Sequence, residues 1–458
     1  MAISDTFNIS KKATRSQAAK GTVKDPNHQL KQAIWLYFIL LIFEGALRKW
    51  VLPGLSTPLL LIRDPVAIYL MIKANQRNLF PENGYIKGMV IIGVISIFTA
   101  LAFGHGNLIV ALFGARLFII HFPIIFIIGA VFNKEDVIKM GKATLWIAVP
   151  MAVLIALQFY SPQSAWVNRG IGGDESGAGF SGALGFFRPP GTFSFTNGNA
   201  LFFSFVAPFV FYFWLYPKLV NRWLLLAATA ALLGSIPLSI SRSLYFSILV
   251  ALAFTIIGVA RKPAYAKRVL GAVIGIAVLI AVLSQTSVFI TAFEAFNTRF
   301  EGANESEGGV QSVLLDRYLG GLVGAVTSTD GLPFFGHGMG IGTNIGLQLL
   351  GDQVFIAPEG EWGRIIAEQG FILGMGVIII RLIFSMRMFL VSYRKLSLGD
   401  LLPWILLSNF LLNVPQAQWK QPTTLGFSII IGGLQLAAFR VPKKLKPKKF
   451  NTLDINNV

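Results

Sequence analysis

The chain contains no cysteine. That excludes disulfides, thiol nucleophiles and thiolate metal sites, and says nothing firm about redox compartment. Charge is also scarce. Only 13% of the 458 residues are Asp, Glu, Lys or Arg, and 21 acids stand against 39 Lys and Arg. None of the four histidines (His28, His105, His121, His337) lies at metal-ligand spacing from another, and no Asp-x-Asp occurs. Glu305-Ser-Glu307 and Glu359-Gly-Glu361 are paired acids, which alone are a weak signal for a divalent ion. The glycines around His337 are not followed by Gly-Lys-Ser/Thr, so they do not make a phosphate loop. No metal and no cofactor is expected. No internal repeat is visible that would suggest the paired halves of a secondary transporter.

What the chain has is hydrophobic length. With 54% hydrophobic residues in repeated apolar runs, it reads as an all-α polytopic membrane protein. About twelve transmembrane helices are expected, near 33–47, 59–72, 86–103, 115–132, 143–159, 200–216, 223–238, 244–260, 269–283, 365–386, 401–414 and 423–439. Residues 1–32 form a polar tail without a cleavable signal, 33–283 carry spans one to nine, 363–440 carry spans ten to twelve, and 441–458 form a basic tail. Between spans nine and ten lies the one long polar interval, 284–362, holding nine of the 21 acids and only Arg299 and Arg317 as cations. An interval of that length is expected to be a folded, partly helical cap, with Gln311–Val326 as an amphipathic helix.

The formal charge of +18 does not indicate nucleic acid, because 27 of the 39 Lys and Arg fall in the tails and in alternate short connections. This asymmetry places both termini in the cytoplasm and the cap outside, on the periplasmic face. The basic tail 443–449 suits anionic headgroups of the bilayer.

Several residues are candidates for chemistry. Arg188 sits in Phe187-Arg-Pro-Pro-Gly-Thr-Phe193, stiffened by prolines, with Asn197 or Asn199 placed to cap the following helix. A guanidinium beside a helix N-terminus suits an anion, and an interfacial arginine bracing a loop is the alternative. Arg242 occupies a connection too short to leave the membrane surface, where an ionisable group faces a cavity or a partner. Glu361, Arg364 and Glu368 share a helical face, so Arg364 is expected to pair with either acid. Glu359, between Pro358 and Gly360, is freer to act as a base. Glu44, Arg48, Arg63 and Asp64 are expected to pair as one buried or interfacial network.

Taken in order, four of these features resemble the O-antigen ligase and polymerase superfamily of bacterial surface-polysaccharide enzymes. They are Arg188-Pro-Pro-Gly-Thr-Phe with Asn197 and Asn199, Ser241-Arg242, Gly336-His-Gly-Met-Gly340, and Glu368-x-Gly370-x-x-x-Gly374. The resemblance implies a metal-independent glycosyltransferase of the inner membrane, acting at its outer face on undecaprenyl-diphosphate-linked glycan donor and acceptor. It implies that Arg188 and Arg242 bind the diphosphate; Asn197, Asn199, His337, Arg364 and Arg317 are further candidate substrate contacts. A chain-length regulator and a flippase are the implied protein partners. Ligases carry a histidine about where Glu359 stands here, so the departure favours a repeat-unit polymerase, with Glu359 as base and Glu361 second. The competing functions are an O-antigen ligase, a lipid-linked oligosaccharide flippase, and a metal-dependent transferase using Glu359-Gly-Glu361.

Overall fold

The computed structural model describes residues 25–261, 284–307, 321–327, 331–351 and 360–441, with scattered positions between 271 and 282. Among the described residues it is all-helical apart from one hairpin of two two-residue strands. In chain order the helices are α1 (His28–Ala46), α2 (Arg63–Gln76), α3 (Gly84–Ala102), α4 (Leu108–Arg116), α5 (Phe122–Val131), α6 (Lys134–Tyr160), α7 (Thr196–Leu215), α8 (Arg222–Leu238) and α9 (Arg242–Ala260). Then follow α10 (Ser287–Glu307), α11 (Gly321–Thr327), α12 (Asn344–Leu350), α13 (Glu361–Ser397), α14 (Leu402–Asn413) and α15 (Pro422–Ala438). The hairpin pairs β1 (Phe180–Ser181) with β2 (Phe187–Arg188).

Among the described residues, seven helices are long and apolar enough to cross a membrane: His28–Val51, Gly84–Ala102, Leu108–Val131, Lys134–Tyr160, Thr196–Leu215, Arg242–Ala260 and Glu361–Ser397. Three shorter apolar helices, α8, α14 and α15, complete the bundle. The expected second span is only 14 residues of helix, and the expected ninth falls mostly outside the described residues. The fourth begins earlier than its apolar run implies, at Leu108, because Asn107 caps it by accepting from Ile109 and Val110 N–H.

Helix α7 is central and buried over nearly its whole length, with its own Phe202, Phe203, Phe205, Phe209 and Phe213 all in the core. Around it pack α6, α8, α9, α14 and α15. The polar interval after the ninth expected span contains α10, α11 and α12, so its described part is largely helical. Here α10 packs on α8, and α11 on α13. Most of the expected helix Gln311–Val326 lies outside the described residues, as do Arg317 and Glu359.

The 37-residue α13 is two helical segments meeting at Gly370, whose φ is 76°. Arg381 Nη1 lies 3.0 Å from Glu361 Oε1. Twenty residues of straight helix would separate them by about 30 Å, so the chain folds back on itself at Gly370. Non-helical backbone at membrane depth survives only where protein or water satisfies its polar groups. That requirement builds half of the site.

Candidate functional site

The fold-back leaves the last carbonyls of segment 361–369 without helical partners. The glycine turn of the polar interval fills this gap. His337 N–H donates to Ala367 O at 2.8 Å, and Gly338 N–H donates to Glu368 O at 3.0 Å. Gly340 and Gly342 N–H then reach the Glu368 carboxylate itself, each at 3.1 Å. On its other side the turn meets the α3–α4 connection, where His105 Nε2 lies 3.0 Å from Met339 O. Glycine is required at Gly338, which has φ 105° and lies against the His105 ring. His337 is thus held at the backbone from both sides while its side chain stays partly exposed. Partial burial lowers its pKa from the ordinary imidazole value, which favours the neutral form at neutral pH.

Replacing Gly370 by alanine tests this corner. The added Cβ would collide with the Phe334 carbonyl, at a φ that L-residues rarely adopt. We expect a cost of about 1–3 kcal/mol, read as a lowered thermal midpoint of the detergent-purified protein. An unchanged midpoint would mean the fold-back does not contribute to stability.

Behind the turn lies a closed ionic network. Arg364 donates to both oxygens of Glu361 (2.9 and 3.0 Å) and to Glu368 Oε2 (2.7 Å). Arg381 adds its bond to Glu361, donates to Val414 O and Ala417 O, and stacks on Trp419 at 4.0 Å. Two carboxylates thus face two guanidiniums, all buried. Glu361 and Arg364 were candidates for base and substrate contact. Their charged groups are spent on one another, because helical spacing sets them on one face and the fold-back brings Arg381 over them. The geometry therefore weighs against Glu361 as a base.

The second half of the site is the Arg188 segment. Lys49 Nζ donates to Gly191 O at 2.7 Å, and Arg48 Nη1 donates to Ser194 Oγ at 2.9 Å. Both come from Leu47–Val51, a π-helical turn extending α1, and such turns are often found at functional sites. Gln158 accepts from Gly191 N–H and donates to Gly191 O, while Thr192 Oγ1 donates to Ile42 O. Residues 189–194 are therefore fixed from α1 and α6. The expected asparagine cap is corrected here. Helix α7 begins at Thr196 after Phe195, without a side-chain cap. Asn199 instead donates to Pro189 O, and Asn197 donates to Gln421 and Thr424 at the start of α15.

Arg242 is the first residue of α9, one position after its cap Ser241, whose hydroxyl accepts from Leu244 N–H. Ile240, two positions before it, lies against Gly182 of the hairpin that ends in Arg188. Gly182 O accepts from Arg299 Nη1 of α10 at 3.2 Å. Three arginine-bearing segments, distant in sequence, therefore meet around Gly182. Arg299 was not singled out as a site residue beforehand. It is one of the two cations of the polar interval, but its contact to Gly182 spans 117 residues, which no local pattern encodes.

The expected four-residue network divides in two. Glu44 lies 3.5 Å from Arg48 and 3.3 Å from Arg63. Asp64 turns away to Arg116 (2.7 Å) and His121 (2.9 Å), and His121 Nδ1 meets Tyr37 Oη at 3.1 Å. The reason is helical geometry: adjacent residues on α2 lie about 100° apart and face different neighbours.

The connection 414–421 joins both halves of the site. It receives Arg381 at Val414 and Ala417, Trp362 at Pro415, and Asn197 at Gln421. Comparison with protein-family models, curated proteins and solved structures finds no match to this chain.

Proposed function

We propose that this chain is a membrane glycosyltransferase that polymerises undecaprenyl-diphosphate-linked oligosaccharide repeat units into O-antigen or exopolysaccharide. The observation that supports it best is the meeting of the Arg188 and Arg242 segments through Gly182 and Ile240, beside an apolar helical bundle. An acceptor hydroxyl attacks the anomeric carbon of the donor sugar, and the bond from that carbon to the diphosphate oxygen breaks. The hydroxyl proton passes to a base, and the polyprenyl diphosphate leaves with the bonding pair. Guanidiniums aimed at the leaving group stabilise the charge it gains. Glu359 is the proposed base, with His337 as the next residue to test. The polyprenyl tail reaches the site from the bilayer. In this proposal twelve crossings leave both termini cytoplasmic and set the cap in the periplasm, at the outer face of the inner membrane.

Acceptor choice tests the reading. Purified protein given only lipid-linked oligosaccharide should yield a ladder of longer glycans still carried on undecaprenyl diphosphate. Product appearing only when a lipid A core acceptor is supplied would make the chain a ligase.

A further inference from the structure

The buried ionic networks differ in charge. Around the Glu368 corner, Glu361 and Glu368 balance Arg364 and Arg381. In contrast, the groups around Glu44 and Asp64 together set two carboxylates against four cations: Glu44 pairs with Arg48 and Arg63, Asp64 pairs with Arg116, and Lys49 pairs with neither. Among the described residues, the other titratable groups in contact with this cluster are Tyr37 and His121, neither of which brings a negative charge at neutral pH. Lys49 is the extreme case. It is 1% exposed, meets no carboxylate within ion-pair distance among the described residues, and faces only the Gly191 carbonyl and the Trp50 ring at 4.5 Å. Arg63 Nη1 is also buried without a hydrogen-bond partner among the described residues.

A buried ammonium held by one carbonyl is costly. A glutamine or serine there would clamp Gly191 without that cost, as Gln158 already does from the opposite side. The surplus positive charge lies directly under the segment that carries the partly exposed Arg188. We infer that Lys49, with Arg48, is a positioning residue whose charge is balanced only when a diphosphate occupies the face of the Arg188–Ser194 segment. The ligand touches Arg188. Lys49 acts from behind, through Gly191 and through its field, which is weakly screened in this low-dielectric interior. This rests on the proposed function for the source of the diphosphate, but not for its binding.

The test is anion binding by the purified full chain, using inorganic pyrophosphate and farnesyl diphosphate as probes. Wild type should bind both, and tighter binding of farnesyl diphosphate would assign the site to a lipid-borne group, equal binding to a free one. Lys49→Met should bind at least about tenfold more weakly yet melt no lower than wild type without ligand, because a buried unpaired charge has been removed. Lys49→Arg should keep most of the affinity. Unchanged affinity in Lys49→Met, or a fall in its unliganded stability, would show that the lysine is only a loop clamp and overturn the inference. So would a wild type that binds neither probe. Intact diphosphate binding without chain growth would instead sink the polymerase reading and leave this one standing.

Discussion

Arg188→Ala and Arg242→Ala should each abolish chain growth while the protein remains folded and inserted. Both side chains are partly exposed, on segments that meet around Gly182, so neither removal leaves a core cavity. A contact that strengthens as the leaving diphosphate gains charge is worth several kcal/mol of barrier, which is on the order of 100-fold or more in rate. Lysine at either position should also impair strongly, since an ammonium lacks the planar fork that binds phosphate through two parallel bonds. The measurement is initial rate on lipid-linked oligosaccharide, alongside thermal melting. Near-normal rates in both lysine variants would reduce the arginines to structural braces.

Glu361 and Glu359 should separate cleanly. Glu361→Gln leaves Arg364 and Arg381 buried beside a neutral amide, three hydrogen bonds having lost their anionic acceptor. Breaking a buried pair by neutralising one partner costs about 3–5 kcal/mol, so this variant should unfold early and lose activity with its fold. Glu359→Gln should melt like wild type, bind the lipid-linked substrates and fail to join them. Full activity in Glu359→Gln would move the base role to His337. A Glu361→Gln protein as stable as wild type would contradict the ionic network described here.

Much of the bundle was legible from apolar run length. Helices α3, α8 and α9 begin and end near the expected spans because their boundaries follow the change from apolar to polar residues, whereas α6 starts well before its expected span, at Lys134 after the Asn133 cap. The pairing of Arg364 with both neighbouring acids was legible too, because it depends on helical spacing within one segment. What escaped were contacts made across the fold. The fold-back at Gly370 depends on a positive φ that a glycine permits but does not announce. Asp64 selects Arg116 and His121 from 52 and 57 residues away, and no local pattern encodes that choice. Lys49 lies just beyond the expected first span, 33–47, and a π-helical turn carries it inward beneath Gly191. The asparagines near α7 have good capping chemistry, yet the helix starts before them, which frees both amides to hold neighbouring segments.

The most direct measurement is the fate of a labelled donor in liposomes holding only this protein, with chelator present. Undecaprenyl-diphosphate oligosaccharide, labelled in both lipid and sugar, should give lengthened glycans and release one undecaprenyl diphosphate for each repeat unit joined. Donor that crosses the bilayer unchanged, with no lipid diphosphate released, would contradict the account and make the arginine site a carrier's.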